Sequence, residues 1–312
     1  MPKTLRTETS DGVRTIVLTR AVEYNTITPE LGQELAAAID AADNDRNVHV
    51  ILLRAEGPAF CAGYGLNWAT AAQAEERGAA RTQDREPASA ASVGGASLPR
   101  GRAWDSIADL RMISQFVNVY MKLWYASKPT IAAVQGWCIG GGTDMVLCAD
   151  IIVAADTASF GYPPSRAWGT PTTAMWVYRM GLERAKRYLL TGDEIPAAEA
   201  ARIGLILEAV PEAELETRAT ALAKRMARVP VNQLQMLKLL CNHTAENMGF
   251  ATSRLVGSLF DGIARHTQEG LDFVARAGEA GFRQAVRERD DPFGDYGSGP
   301  RSKRRSKPAK GK

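Results

Sequence analysis

The chain has 312 residues, 45% of them apolar, which is enough to bury a large core as one domain or two and too apolar for a disordered polymer. Its formal charge of +3 comes from the last dozen residues, Arg301 to Lys312, which hold seven Lys or Arg and no acid; the remainder is mildly acidic, so nucleic acid is not an expected partner, and only a basic tail could attract a polyanion. The four cysteines (Cys61, Cys138, Cys148, Cys241) lack metal spacing and read as buried, reduced thiols of a cytoplasmic protein, no apolar run reaches the roughly 20 residues of a membrane helix, and MPKTLRTETSDG lacks a signal peptide's apolar stretch.

From Lys3 to Arg20 polar and apolar residues alternate around Asp11-Gly12, which predicts two strands and a tight turn. Thr28 then offers an N-cap before Pro29, and Leu31, Leu35, Ala38 and Ile39 share one helical face, so a helix to about Asp43 follows. Short, strongly apolar runs predict buried parallel strands at Val48–Leu53, Thr130–Val134, Asp150–Ala154 and Leu205–Val210. Helical stretches separate them, an α/β pattern. From about 69 to 102 the chain is rich in Ala, Gly, Ser and Arg without sustained periodicity and reads as an insertion. Helical spacing returns from Trp104 to Tyr125 and stops at Lys128-Pro129. Beyond Glu212 the pattern is nearly all helical, and residues 291–312 read as an arm followed by a basic disordered tail.

Two glycine-containing turns each follow a predicted buried strand. One is Ala59-Phe60-Cys61-Ala62-Gly63-Tyr64; the other is Gly136-Trp137-Cys138-Ile139-Gly140-Gly141-Gly142, which runs into the helix TDMVLCA. Glycines at a helix start let backbone approach a ligand, and the unpaired N–H groups there favour negative charge. GxGxxG and GK(S/T) spacings are missing, so a nucleotide loop does not fit. A lone GGG before a helix is equally compatible with tight packing. Two strand-end turns in neighbouring units, however, can each aim one N–H at a shared point, as an oxyanion hole requires.

AFCAGYGLN and KPTIAAVQGWCIGGGTDMVLCADIIVAADTASFG resemble the two signatures of the enoyl-CoA hydratase/isomerase (crotonase) family, and the likeness continues through LLTGDEIPAAEAARIGLILEAV. The resemblance implies an α/β fold: a crotonase-like spiral of repeated ββα units over residues 1–210, and a helical C-terminal region, 211–290, used in trimerisation. It further implies an acyl-CoA thioester as substrate, assembly as a homotrimer or dimer of trimers, no metal, and no cofactor beyond the coenzyme A carried by the substrate. By the same resemblance the N–H groups of Tyr64 and Gly141 hold the thioester oxygen, and Ala62, Gly63, Gly65, Leu66 and Gly140 surround the substrate.

Hydratases of this family carry two glutamates, and this chain departs from both. Asp144 stands at the first position, one methylene shorter; it is either the catalytic base or an acid that charges the helix start. The second falls in Phe160–Gly169, which has no carboxylate. Tyr162, Ser165 and Arg166 are the polar candidates there, for chemistry or for structure. Asp150 reads as a structural hydrogen-bonding acid. His49, His243 and His266 form no triad, Cys61 and Cys138 lack a neighbouring base, and Trp68, Trp104, Trp124 and Trp137 suit either an acyl pocket or packing.

Overall fold

The computed structural model describes residues 4–64 and 105–296. It begins with a hairpin of β1 (Leu5–Ser10) and β2 (Val13–Leu18), paired antiparallel around Asp11 and Gly12. Both turn residues have positive φ, which matches the twist of the flanking strands. Helix α1 (Pro29–Asn44) starts where the sequence predicts: the Leu31 N–H donates to Oγ1 of Thr28 at 3.3 Å, and Leu31, Leu35 and Ile39 are its buried face.

The rest of the core repeats one unit of strand, strand and helix. The first strands are β3 (Val50–Ala55), β5 (Thr130–Val134) and β7 (Ile151–Ala155); the second strands are β4 (Ala59–Cys61), β6 (Trp137–Ile139) and β8 (Ser159–Gly161). Helix α2 (Ser106–Tyr125) precedes β5, and α3 (Gly141–Leu147) precedes β7. Each first strand joins a six-stranded sheet completed by β10 (Glu208–Val210), in the order β1-β2-β3-β5-β7-β10; each second strand joins a four-stranded sheet, β4-β6-β8-β9, closed by β9 (Ile195–Pro196). The first strands are covered on both faces, which is why they read as continuous apolar runs rather than alternating ones.

Helices α4 (Met175–Met180), α5 (Leu182–Leu189) and α6 (Ala197–Arg202) complete the core. Helix α7 (Leu215–Ala227) then lays Leu215, Ala219 and Ala223 on the outer face of the large sheet, against Val50, Leu52, Ile131 and Val153. Among the described residues four helices follow: α8 (Val231–Asn247), α9 (Phe250–Arg265), α10 (Gln268–Ala280) and α11 (Phe282–Asp290). Helix α9 runs beside α2, so the C-terminal region packs back on the core. No helix among the described residues is long and apolar enough to cross a membrane.

Several expectations need adjustment. The second strands are three residues each, too short to carry a period, so the smaller sheet leaves no pattern in the sequence beyond the family resemblance. The last strand of the large sheet begins at Glu208 rather than Leu205, because Leu205 and Ile206 are buried in the turn before it. Cys241 is exposed on α8, unlike the other three cysteines. The insertion expected at 69–102 and the tail beyond Tyr296 lie outside the described residues.

Candidate active site

The two glycine turns meet. Gly63, at φ +89°, turns the chain after β4, and its carbonyl accepts from the Ile27 N–H at 2.8 Å. The N–H of Gly140 donates to the Gly161 carbonyl at 2.9 Å, which fixes the second turn to the end of β8. Contact between the turns is close enough to demand glycine: a Cβ on Gly142 would lie 2.4 Å from the Cys61 carbonyl oxygen, and one on Gly63, already at positive φ, would lie 3.0 Å from the Ile139 carbonyl oxygen, with the Gly141 nitrogen next at 3.7 Å. Tyr64 and Gly141 are thereby neighbours. The N–H of Gly141 stands at the first position of α3, where no intrahelical acceptor exists. Among the described residues neither that N–H nor the N–H of Tyr64 donates to a backbone carbonyl.

The Tyr64 side chain fixes its own turn. Its ring packs on Gly141 and edge-on against Phe116, and its hydroxyl accepts from the Tyr120 hydroxyl of α2 at 2.9 Å. Burial pushes both phenols above their ordinary range, so they stay neutral. Ala62 lies in the same turn, its N–H donating to the Tyr24 carbonyl at 3.1 Å. Gly65 and Leu66 lie outside the described residues.

Asp144 sits on the first turn of α3 and is fully buried. Its Oδ2 accepts from the Thr172 N–H at 2.7 Å and from the Thr172 hydroxyl at 2.9 Å, and its Oδ1 accepts from the Trp176 indole N–H at 3.1 Å. A carboxylate has about four acceptor positions. Three are used, which leaves one on Oδ1. Burial pushes this carboxyl up to about 6, against the pull of those three donors. The group is therefore held in one orientation and titrates near neutrality, as a general base should.

The three second-position candidates separate. Tyr162 is buried beside the site, its ring edge-on to Trp176, and its hydroxyl donates to the Thr170 carbonyl at 2.7 Å. Ser165 donates to the Tyr162 carbonyl at 2.9 Å, a local turn contact. Arg166 is occupied elsewhere: its guanidinium contacts Asp290, Asp295, Asp193 and the Thr191 carbonyl and lies 3.8 Å from the Phe293 ring centre. All its donors are engaged, so holding a substrate oxygen is not its role in this arrangement; it pins the segment after α11 to the core.

Other residues fall into structural roles. Asp150 accepts from the Thr130 N–H and hydroxyl at 2.7 and 3.0 Å and pairs with Lys238. His49 and His266 each bond a backbone carbonyl through Nδ1. Burial pushes the Cys61 thiol up to about 12 and Cys138 well above its ordinary value, so neither is a thiolate. Trp124 packs on Phe250 and Trp137 on Tyr24, while Trp68 and Trp104 lie outside the described residues. Sequence reasoning missed Thr172 and Trp176, which orient Asp144. It also missed the trio of half-buried Asp109 and buried Asp261 and Arg265, whose trace in α9 is an acid and a base four residues apart.

The profile of the enoyl-CoA hydratase/isomerase family matches residues 8–94 and 94–284. A Mycobacterium tuberculosis protein named enoyl-CoA hydratase EchA13 is 32% identical over 257 residues, 80% of this chain and 76% of its own length. The hydroxycinnamoyl-CoA hydratase-lyase of Pseudomonas fluorescens is 28% identical, with 72% of each chain aligned. A crystal structure of an enoyl-CoA hydratase from Mycobacterium smegmatis superposes with a TM-score of 0.81 at 43% identity, over 95% of this chain and 96% of that one.

Proposed function

Because the chain belongs to the enoyl-CoA hydratase/isomerase family, whose members transform acyl-CoA thioesters, we propose that Tyr64 and Gly141 form the oxyanion hole and Asp144 acts as the base of a hydration. The observation that carries this reading is the packing of the two turns, which leaves two adjacent backbone N–H groups without a backbone acceptor among the described residues. Water adds through its oxygen to the β-carbon of a conjugated enoyl thioester. The double-bond electrons move to the thioester oxygen as an enolate, held by the two N–H groups. Asp144 takes the proton released by the water. That proton then returns to the α-carbon as the thioester carbonyl re-forms, so one carboxylate balances both transfers. Each preorganised donor contributes about 3 to 4 kcal/mol of transition-state stabilisation. Coenzyme A enters with the substrate, and the cytoplasm, where the cysteines stay reduced, is the setting this reading assigns.

The lack of a carboxylate in Phe160–Gly169 favours a second reading, isomerisation. Asp144 would then remove a proton from one carbon of the enolisable thioester and return it to another, with no water consumed. A panel of enoyl-, dienoyl- and aromatic acyl-CoAs, assayed with the wild type and Asp144→Asn, separates the two: hydroxyacyl products support hydration and shifted double bonds support isomerisation. Equal turnover by both proteins would remove Asp144 from either scheme, and tight thioester binding without turnover would leave a non-catalytic binder.

The same reading has the chain assemble as a homotrimer or a dimer of trimers. In support, α8 and α9 carry a set of uncovered large apolar side chains, including Leu237, Leu240, Leu259, Phe260 and Ile263.

A further inference from the structure

Asp144 is tied to a second buried carboxylate through one short loop. Thr172 donates twice to Asp144, and two residues earlier the backbone N–H of Thr170 faces the carboxylate of Asp261 on α9. The Oδ1 of Asp261 lies 3.5 Å from the point at which a side chain on Gly169 would begin. A carboxyl group carried by another element therefore stands at the end of the very stretch that lacks one. Helix α9 grips the loop at further points: the Thr170 hydroxyl donates to the Gly257 carbonyl at 3.2 Å, the Ser258 hydroxyl to the Thr172 carbonyl at 3.4 Å, and a Cβ on Gly257 would lie 2.6 Å from the Pro171 carbonyl oxygen.

The charge on Asp261 is arranged rather than isolated. Arg265, one turn along α9, pairs with it and reaches Asp109 of α2 with two bonds of 2.7 and 2.8 Å. Asp261 and Arg265 are both buried, where charge is felt over longer distances than in water. The other titratable groups around Asp144 are Tyr64 and Cys61 on the first turn, Tyr120 on α2, Cys148 at the C-terminal cap of α3 and Tyr162 on the loop. Burial holds these five neutral, and Arg179 on α4 and Arg254 on α9 face Cys148; the charge felt at Asp144 itself is that of Asp261, whose carboxyl burial also raises while Arg265 pulls against it.

We propose that Asp261, balanced by Arg265 and Asp109, is a positioning residue for Asp144: it anchors the loop that orients the Asp144 carboxylate, and its charge keeps that carboxylate ready to take a proton. The inference rests on the reading of Asp144 as the base. Removing the charge of Asp261, or leaving Arg265 unopposed, makes ionised Asp144 more favourable; removing Arg265 does the reverse.

The test follows the carboxyl carbon of Asp144 by NMR against pH in the full chain labelled at aspartate, with the signal assigned by its loss in Asp144→Asn. Asp261→Asn retains an oxygen toward Thr170 and is expected to lower the Asp144 midpoint by about half a pH unit or more. Arg265→Met is expected to raise it. Unchanged midpoints in the folded variants overturn the proposal, and if Arg265→Met does not fold, Asp261→Asn alone decides. The acid limb of kcat/KM, measured in parallel, distinguishes the two levels: a shifted NMR midpoint with an unshifted kinetic limb upholds the coupling and removes Asp144 as the base.

Discussion

The ring of Tyr64 rests on the α-carbon of Gly141, so that a Cβ added there would begin 2.7 Å from the ring's Cε2. The ring has little room to yield, because Tyr120 holds its hydroxyl and Phe116 its edge. Gly141→Ala should therefore force the two turns apart and misalign both N–H donors. The expected result is a fall in kcat/KM of about a hundredfold or more with far-ultraviolet circular dichroism unchanged. Tyr64→Phe keeps both the ring and the backbone N–H, and should cost roughly 1 kcal/mol of stability in urea denaturation and only a few-fold in turnover.

Because burial pushes the Asp144 carboxyl up to about 6, its basic form fades within a measurable range. kcat/KM should rise with pH, level off above this midpoint, and fall about tenfold per pH unit below it. Stability should move the other way. A folded-state value above the ordinary carboxylate value means that the fold favours the protonated acid, so this contribution is full below the ordinary value and lost as pH rises through about 6. Asp144→Asn should flatten that decline, with a difference on the order of 3 kcal/mol at most between about pH 4 and pH 7. Thermal denaturation of both proteins across that range measures it.

How far the sequence reveals such features depends on the length scale of the interaction. The strands Thr130–Val134 and Val50–Ala55 and the capped start of α1 are written in contiguous residues, and so are the glycine turns. The smaller sheet is not, because three-residue strands such as Ala59–Cys61 carry no period. Nor is the environment of Asp144: Trp176 is 32 residues away and acts through one indole N–H. Arg166 reads as a candidate for substrate contact when seen beside Phe160-Gly161, and only the return of the chain more than a hundred residues later supplies Asp290 and Asp295 to occupy it.

That return makes Arg166 a structural hub with a testable cost. Its guanidinium is almost wholly buried, and Asp290 is as well. Tyr296 adds to the same fastening by donating its hydroxyl to the Gly192 carbonyl at 2.8 Å. Arg166→Met would leave Asp295 without its cation, while Asp290 keeps Arg289 and Asp193 keeps Arg187; because Asp295 is partly exposed, the cost should fall below the roughly 3 to 5 kcal/mol of a fully buried broken pair. Chemical denaturation should show that loss, and limited proteolysis should open the segment after Asp290 in the variant before it does so in the wild type.

Helix α9 has two faces with opposite chemistry. Ser258, Asp261 and Arg265 turn inward to the loop and α2, while Val256, Leu259, Phe260 and Ile263 form an uncovered stripe at helical spacing, with Phe260 54% and Ile263 47% exposed. Burying such a stripe against another copy of the chain would stabilise the assembly by about 1.5 to 3 kcal/mol per fully buried side chain. It would also hold the inward face in place. Phe260→Asp combined with Ile263→Asp should therefore shift the chain toward the monomer in sedimentation experiments, raising the dissociation constant by roughly a hundredfold or more. Because Asp261 lies between these two positions, turnover should fall in step with the oligomer fraction as the protein is diluted. Turnover that stays constant while the assembly dissociates would uncouple the outer face of α9 from the site.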